Sequence, residues 1–211
     1  MAECRIARPK DRSQTLIHRL YQPRDFLFVS VCRSLLSFTG RSAGPASLMH
    51  IRFITTGGTI DKIYFDELSQ FEVGESQMEH ILREGLVQVD YDIVTLMKKD
   101  SLEIADVDRT VLRDFIAADD GTHYVVTHGT DTMPETAEVL SELKGKTIVL
   151  TGALTPARFR TTDAMFNVGM AVAAVQTLEP GVYIAMSGQV FEAGAVRKNR
   201  AENRFEAMDQ T

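Results

Sequence analysis

The sequence predicts an α/β domain, with a mostly parallel sheet flanked by helices in three layers. Three observations lead there. Short β-branched runs alternate with amphipathic stretches from residue 50 onward. The intervals between the runs are long enough to hold a helix each. The runs also end in turns rich in Thr, Ser, Gly and Asp.

The elements follow in order. "IRFITT" is a first strand, closed by Gly57 and Gly58. "ESQMEHILREG" places Met78, Ile81 and Leu82 at helical spacing and stops at Gly85. "YDIVTLM" is a β-branched strand. "DVDRTVLRDFIAA" is an amphipathic helix, expected to bury Val107, Val111, Leu112 and Phe115 on one side. "THYVVTH" is a strand that breaks at Gly129. "DTMPETAEVLSEL" is a helix whose early acids suit the helix dipole. "KTIVLTG" is the next strand. "DAMFNVGMAVAAVQTL" is apolar nearly all round, so its burial is expected. "GVYIAMSG" is a strand, with "QVFEA" as its hairpin partner. This is the order of a Rossmann-like sheet, in which ligands bind beyond the carboxyl ends of the strands. Attention therefore falls on "TTGGT", "MKKDS", "THGTDT", "LTGALTP" and "MSGQ".

A chain of 211 residues fits one domain, or a domain and a tail. Its net charge of -6 divides into +5 over residues 1–48 and -11 over the rest. An acidic body argues against nucleic acid as partner, because phosphate contacts need Lys and Arg. No apolar run approaches the roughly 20 residues that span a bilayer, so no membrane partner is expected. Cys4 and Cys32 make neither a disulfide framework nor a zinc site, and a reducing, cytoplasmic location is expected.

Residues 1–48 have no sustained period, many Arg, few acids, and Pro9, Pro23 and Pro45. They read as an over-long start ahead of Met49 or a disordered tail. A transit-type peptide fits in part; a secretory signal fits worse, since "FLFVSV" is short and Arg33 follows. The folded domain is expected at 49–211.

"TTGGTI" resembles a phosphate turn only superficially. It lacks G-x-G-x-x-G spacing, and no G-K-[ST] follows. Two glycines permit a sharp turn and close approach, and Thr59 is stiff at χ1. Alone, the stretch is either an ordinary glycine turn or one that exposes a nucleophile. "THGTDTMPET" then repeats Gly-Thr at a second strand exit, with an acid beside it. The plain alternative there is Thr130 or Asp131 as a helix N-cap. Ser101 can equally be a cap, and Lys198 in "RKNR" a solvated charge. His128 reads as structural, and His123 as an ordinary strand residue.

Together, "TGGTID" and "HGTDTMPETA" resemble the L-asparaginase/glutaminase family of threonine amidohydrolases. "KDSLEIADVD" is similar to the family's substrate-binding serine segment. "LTGALTPARFRTTDAMFNVGMAVAA" is similar to its Gly-Ala, Pro and Phe-Asn stretch. "GVYIAMSGQVFEAGAVRKNR" is similar to the segment that ends in its catalytic lysine. The likeness covers about residues 50–200. It implies Thr59 as nucleophile, supported by Thr130, Asp131 and Lys198. It also implies Gly58, Ser101, Gly129 and Asp131 around the substrate, with Ser101 on its carboxylate and Asp131 on its ammonium. Backbone N–H groups of the two glycine turns are expected to stabilise the oxyanion.

The reaction so implied turns L-asparagine into L-aspartate and ammonia through a threonine acyl-enzyme, with no metal or organic cofactor. L-Glutamine, another small amide, or mere amino-acid binding are the alternatives. A homo-oligomer, in the simplest case a homodimer, is expected.

Two departures stand out. Aligned on "VGE", the family's loop tyrosine falls on Phe71, which has no hydroxyl; Tyr64 lies in the same loop. Family members also carry a C-terminal domain that lends an acid to a neighbouring subunit. None is read here, and Glu202, Glu206 and Asp209 are the acids at hand. A more open site is therefore expected.

Overall fold

A computed structural model describes residues 49–65 and 70–208. The N-terminal extension read at 1–48, the loop tip 66–69 and Asp209 lie outside the described residues.

The first strand, β1 (His50–Gly57), leads through a 3₁₀ turn (Thr59–Asp61) into a hairpin of β2 (Lys62–Phe65) and β3 (Gln70–Val73). Helix α1 (Met78–Glu84), β4 (Asp90–Lys99), a second 3₁₀ turn (Ser101–Glu103) and α2 (Asp106–Ala118) follow. Then come β5 (His123–Thr127), α3 (Met133–Leu140), β6 (Thr147–Thr151), α4 (Ala164–Thr177) and β7 (Gly181–Met186). β8 (Gln189–Glu192), β9 (Val196–Asn199) and β10 (Arg204–Ala207) complete the order.

Six strands form one sheet in the order β4-β1-β5-β6-β7-β8. All neighbours are parallel except β7 and β8. Those two are joined by Ser187 and Gly188, both at positive φ, which is the turn that matches strand twist. β9 and β10 form a separate antiparallel pair, as do β2 and β3. Both pairs escape the periodicity reading, because strands of four residues are too short to show a period.

Helices cover both faces, so the central strands are apolar on both sides. Ile54, Val126, Leu150 and Ile184 face one cluster with Leu112, Ile116, Met133 and Leu140 of α2 and α3. Phe53, Val125, Val149 and Ala185 face the other, with Ile81 and Leu82 of α1 and Val168, Ala171 and Val175 of α4.

Two expectations of burial need correction. Val107 and Val111 are 67% and 49% exposed. α2 turns Leu112 and Ile116 into the apolar cluster instead, and Arg109 on the same face is buried with its guanidinium donating to Thr136 of α3. α4 is not buried all round. It packs small residues at Ala164, Ala171 and Ala174 against the sheet and leaves Phe166 62% exposed.

Phe53 is fully buried and meets Tyr91 edge to face, with ring centroids 5.8 Å apart. Phe53→Ala should cost about 3–5 kcal/mol, read from the urea midpoint at unchanged slope.

Candidate active site

The chain leaves β1 for β4 on one side, then returns to β5 on the other. The crevice between the carboxyl ends of β1 and β5 is thus a topological switch point. Gly58 sits there at φ 88° and ψ -172°, a conformation few L-residues adopt. A Cβ on Gly58 would stand 2.5 Å from Gly129 Cα, and one on Gly129 would stand 2.5 Å from Ser101 Cβ. The turns after β1 and β5 therefore touch backbone to backbone, and Ser101 of the turn after β4 presses on Gly129.

Thr59, partly exposed, opens the first 3₁₀ turn. Gly58 N–H donates to Lys99 O at 2.9 Å, Asp61 N–H to Gly58 O at 3.1 Å and Ala157 N–H to Ile60 O at 3.0 Å. Asp61 is buried, and its Oδ1 accepts the Gln77 N–H at 2.8 Å. Burial pushes its carboxyl up to about 6, against the pull of that N–H.

At the second turn, neither Thr130 nor Asp131 caps a helix. α3 starts at Met133, and its N-cap Thr132 makes no side-chain cap bond. The Thr132 hydroxyl donates instead to Ser101 O at 2.7 Å, tying the second turn to the third. Local reading missed Thr132, since a hydroxyl before a helix looks like a cap. Thr130 is buried, and its Oγ1 receives Lys198 Nζ at 3.1 Å.

Lys198 reaches in from β9 and also donates to Asn203 Oδ1 at 3.0 Å. Burial lowers its pKa, Asp131 and Asp163 oppose that, and Arg200 adds to it. Asp131 acts on Lys198 through space; its ion pair is with Arg200, Nε to Oδ1 3.9 Å. A cavity of about 410 Å³ adjoins this group, lined in part by Asp131, Glu138, Arg197 and Lys198.

His128 is structural, as its sequence context implied. Its Nδ1–H donates to Gly129 O at 2.7 Å, and the Thr136 hydroxyl donates to Nε2 at 2.9 Å. Arg109 Nε backs Thr136 at 3.3 Å. Burial pushes the imidazole down to about 4, the Gly129 carbonyl opposing and Arg109 assisting.

The exit of β6 is held from α4. Asp163 accepts the Leu154 and Thr155 N–H groups, and Asn167 donates to Gly152 O and accepts the Ser187 N–H. Among the described residues, no three His, Cys, Asp or Glu side chains sit so as to hold a metal ion.

Two glycine turns in contact, a buried threonine under a lysine, and a serine turn against the second glycine thus meet at the switch point. Residues 50–211 fit the description "Asparaginase, N-terminal". The chain belongs to the asparaginase family.

A glutaminase-asparaginase of Acinetobacter glutaminasificans is 39% identical over 79 residues, 35% of this chain and 24% of that protein. The thermostable L-asparaginase of Thermococcus kodakarensis superposes with TM-score 0.66 at 25% identity, over 77% of this chain and 52% of its own. A probable cytoplasmic L-asparaginase of Campylobacter jejuni gives TM-score 0.66 at 28% identity, over 76% and 53%. The chain thus spans about half the length of these solved asparaginases.

Tyr64 and Phe71 stand opposite each other in the β2–β3 register. The two candidates for the loop-tyrosine position therefore share one rung. Phe71 meets Phe159 with ring centroids 6.0 Å apart. Glu206 serves the β9–β10 hairpin, accepting from Arg204 Nε and Asn199 Nδ2. Glu202 is exposed.

Asp61 and His128 oppose each other in acid. The folded state holds the Asp61 proton more tightly than the unfolded chain, so this group favours folding as pH falls from about 6 towards 3.8. His128 stays neutral when folded, so it favours folding above 6.5 and loses that contribution as pH falls to about 4. Each shift is worth on the order of 3 kcal/mol. Asp61→Asn should therefore lose up to about 3 kcal/mol relative to the unaltered chain between pH 7 and pH 4, measured by urea unfolding at both.

Proposed function

We propose that this domain hydrolyses the side-chain amide of L-asparagine to L-aspartate and ammonia, through an ester on Thr59. One observation carries the proposal. Lys198 Nζ lies 3.1 Å from Thr130 Oγ1, in a turn that packs on the turn of Thr59.

A threonine hydroxyl needs a base. Lys198, its pKa lowered chiefly by burial, supplies one when neutral. The Thr59 proton passes to Thr130 Oγ while the Thr130 proton passes to Lys198 Nζ. Thr59 Oγ bonds the amide carbon, the C–N bond breaks, and nitrogen takes the proton back as it leaves as ammonia. Water attacks the ester by the same relay, freeing Thr59 and L-aspartate.

Ser101 takes the substrate carboxylate. Asp131 takes its ammonium in place of Arg200, and Gly58 and Gly129 let the substrate approach the backbone. Since Gly58 N–H is already given to Lys99 O, the first turn's oxyanion donor is the Thr59 N–H.

L-Glutamine is the second reading, favoured by the name of the Acinetobacter relative. A homodimer that closes the site completes the proposal. So does a cytoplasmic location, in keeping with the Campylobacter neighbour's description. Among the described residues, no helix is long and apolar enough to cross a membrane.

The test is ammonia release from L-asparagine and L-glutamine. Thr59→Ala and Lys198→Met should each lower kcat by roughly a thousandfold or more, with Tm within a few degrees of the unaltered chain. If the folded chain releases no ammonia while L-asparagine or L-aspartate raises its Tm, it is a binding module. In the active enzyme, kcat should rise with pH through the Lys198 titration, on a limb below the ordinary lysine range.

A further inference from the structure

Lys62 and Asp100 lie just beyond the residues that the proposed chemistry uses. Lys62 ends the Thr59–Asp61 turn, giving its N–H to Thr59 O. Asp100 begins the Ser101–Glu103 turn. Its Oδ1 accepts the Leu102 N–H at 3.2 Å and the Ser101 hydroxyl at 3.5 Å, and its own N–H donates to Glu103 Oε2 at 3.0 Å. The two meet: Lys62 Nζ is 2.5 Å from Asp100 Oδ2, with side chains 26% and 27% exposed. A single ion pair therefore bridges the turn of Thr59 and the turn of Ser101.

Burial pushes the Asp100 carboxyl up; Lys62, the Leu102 N–H and Ser101 pull it down further, so it stays ionised. The backbones of the two turns also join where the sheet ends, with Gly57 paired to Lys99 and Gly58 N–H given to Lys99 O at 2.9 Å. The ion pair adds a side-chain tie beyond that junction, where Thr59 and Ser101 stand. A partly exposed pair adds little to stability, so its effect lies in geometry.

We propose that the Lys62–Asp100 ion pair is a positioning clasp that sets the distance from Thr59 to Ser101. It thereby fixes the length of substrate, carboxylate to amide, that reaches the nucleophile. L-Asparagine and L-glutamine differ by one methylene along that line. The inference rests on the proposed roles of Thr59 and Ser101.

The test uses the full chain with Lys62→Met, Asp100→Asn, the double variant and Lys62→Arg. Kinetics on both amino acids are read beside hydrogen exchange at the Leu102, Glu103 and Ile104 amides. Each single loss should lower kcat/KM on the better substrate by roughly 10- to 100-fold, mostly in kcat. The ratio between the two amino acids should narrow. The double variant should be no worse than the worse single one. Lys62→Arg should restore most of the activity, and exchange at the three amides should quicken in Lys62→Met.

Additive losses with an unchanged ratio, or unchanged exchange in Lys62→Met, overturn the clasp. If the unaltered chain releases no ammonia, the proposed function fails and exchange alone decides. Faster exchange in Lys62→Met then keeps the clasp, and unchanged exchange removes it.

Discussion

Bare backbone meets bare backbone at Gly58 and Gly129, and the rest of the site depends on that contact. A side chain on either glycine would drive a carbon to within 2.5 Å of its neighbour. A side chain on Gly58 would part the turn of Thr59 from that of Thr130, and one on Gly129 would push off Ser101. The positive φ of Gly58 adds a second restriction, since an L-residue is strained there whatever the space. Contact at such range holds only if the layer beneath is rigid. It is: β1 and β5 are neighbours in the sheet with apolar side chains buried on both faces.

Burial acts on three titratable groups around this contact, each time favouring the uncharged form. Asp61 rises, His128 falls and Lys198 falls. The consequences differ with what each group touches. His128 is spent on the Gly129 carbonyl and Thr136, so it orients the turn. Asp61 joins the Thr59 turn to the start of α1 through Gln77. Lys198 alone points its nitrogen at a hydroxyl, Thr130, that faces the proposed chemistry. Lys62 keeps Asp100 ionised, and Asp163 accepts two backbone N–H groups and the Asn167 amide.

The loop-tyrosine position takes a definite form in the fold. Phe71 and Tyr64 occupy one rung of a short hairpin that leaves the Thr59 turn directly. Glu206 is held within its own hairpin by Asn199 and Arg204. From the β9–β10 hairpin, Lys198 of β9 and Arg200 of the turn stand beside Asp131.

The sequence by itself determined the layered α/β class and the six strands of the main sheet. Apolar runs that must be covered on both faces leave few other solutions. It also determined where to look, because Gly-Thr at two strand exits is a local pattern, and Ser101 and Lys198 stand in segments with a known likeness. Only the tertiary structure decided which face of α2 turns inward. Periodicity marked Val107 and Val111, but a buried arginine had its partner on another helix. Only the fold showed Thr132 bonding across to Ser101 rather than capping α3, and Lys62 finding Asp100. Each of these depends on a partner about thirty residues away or more, and no local period or propensity carries that information.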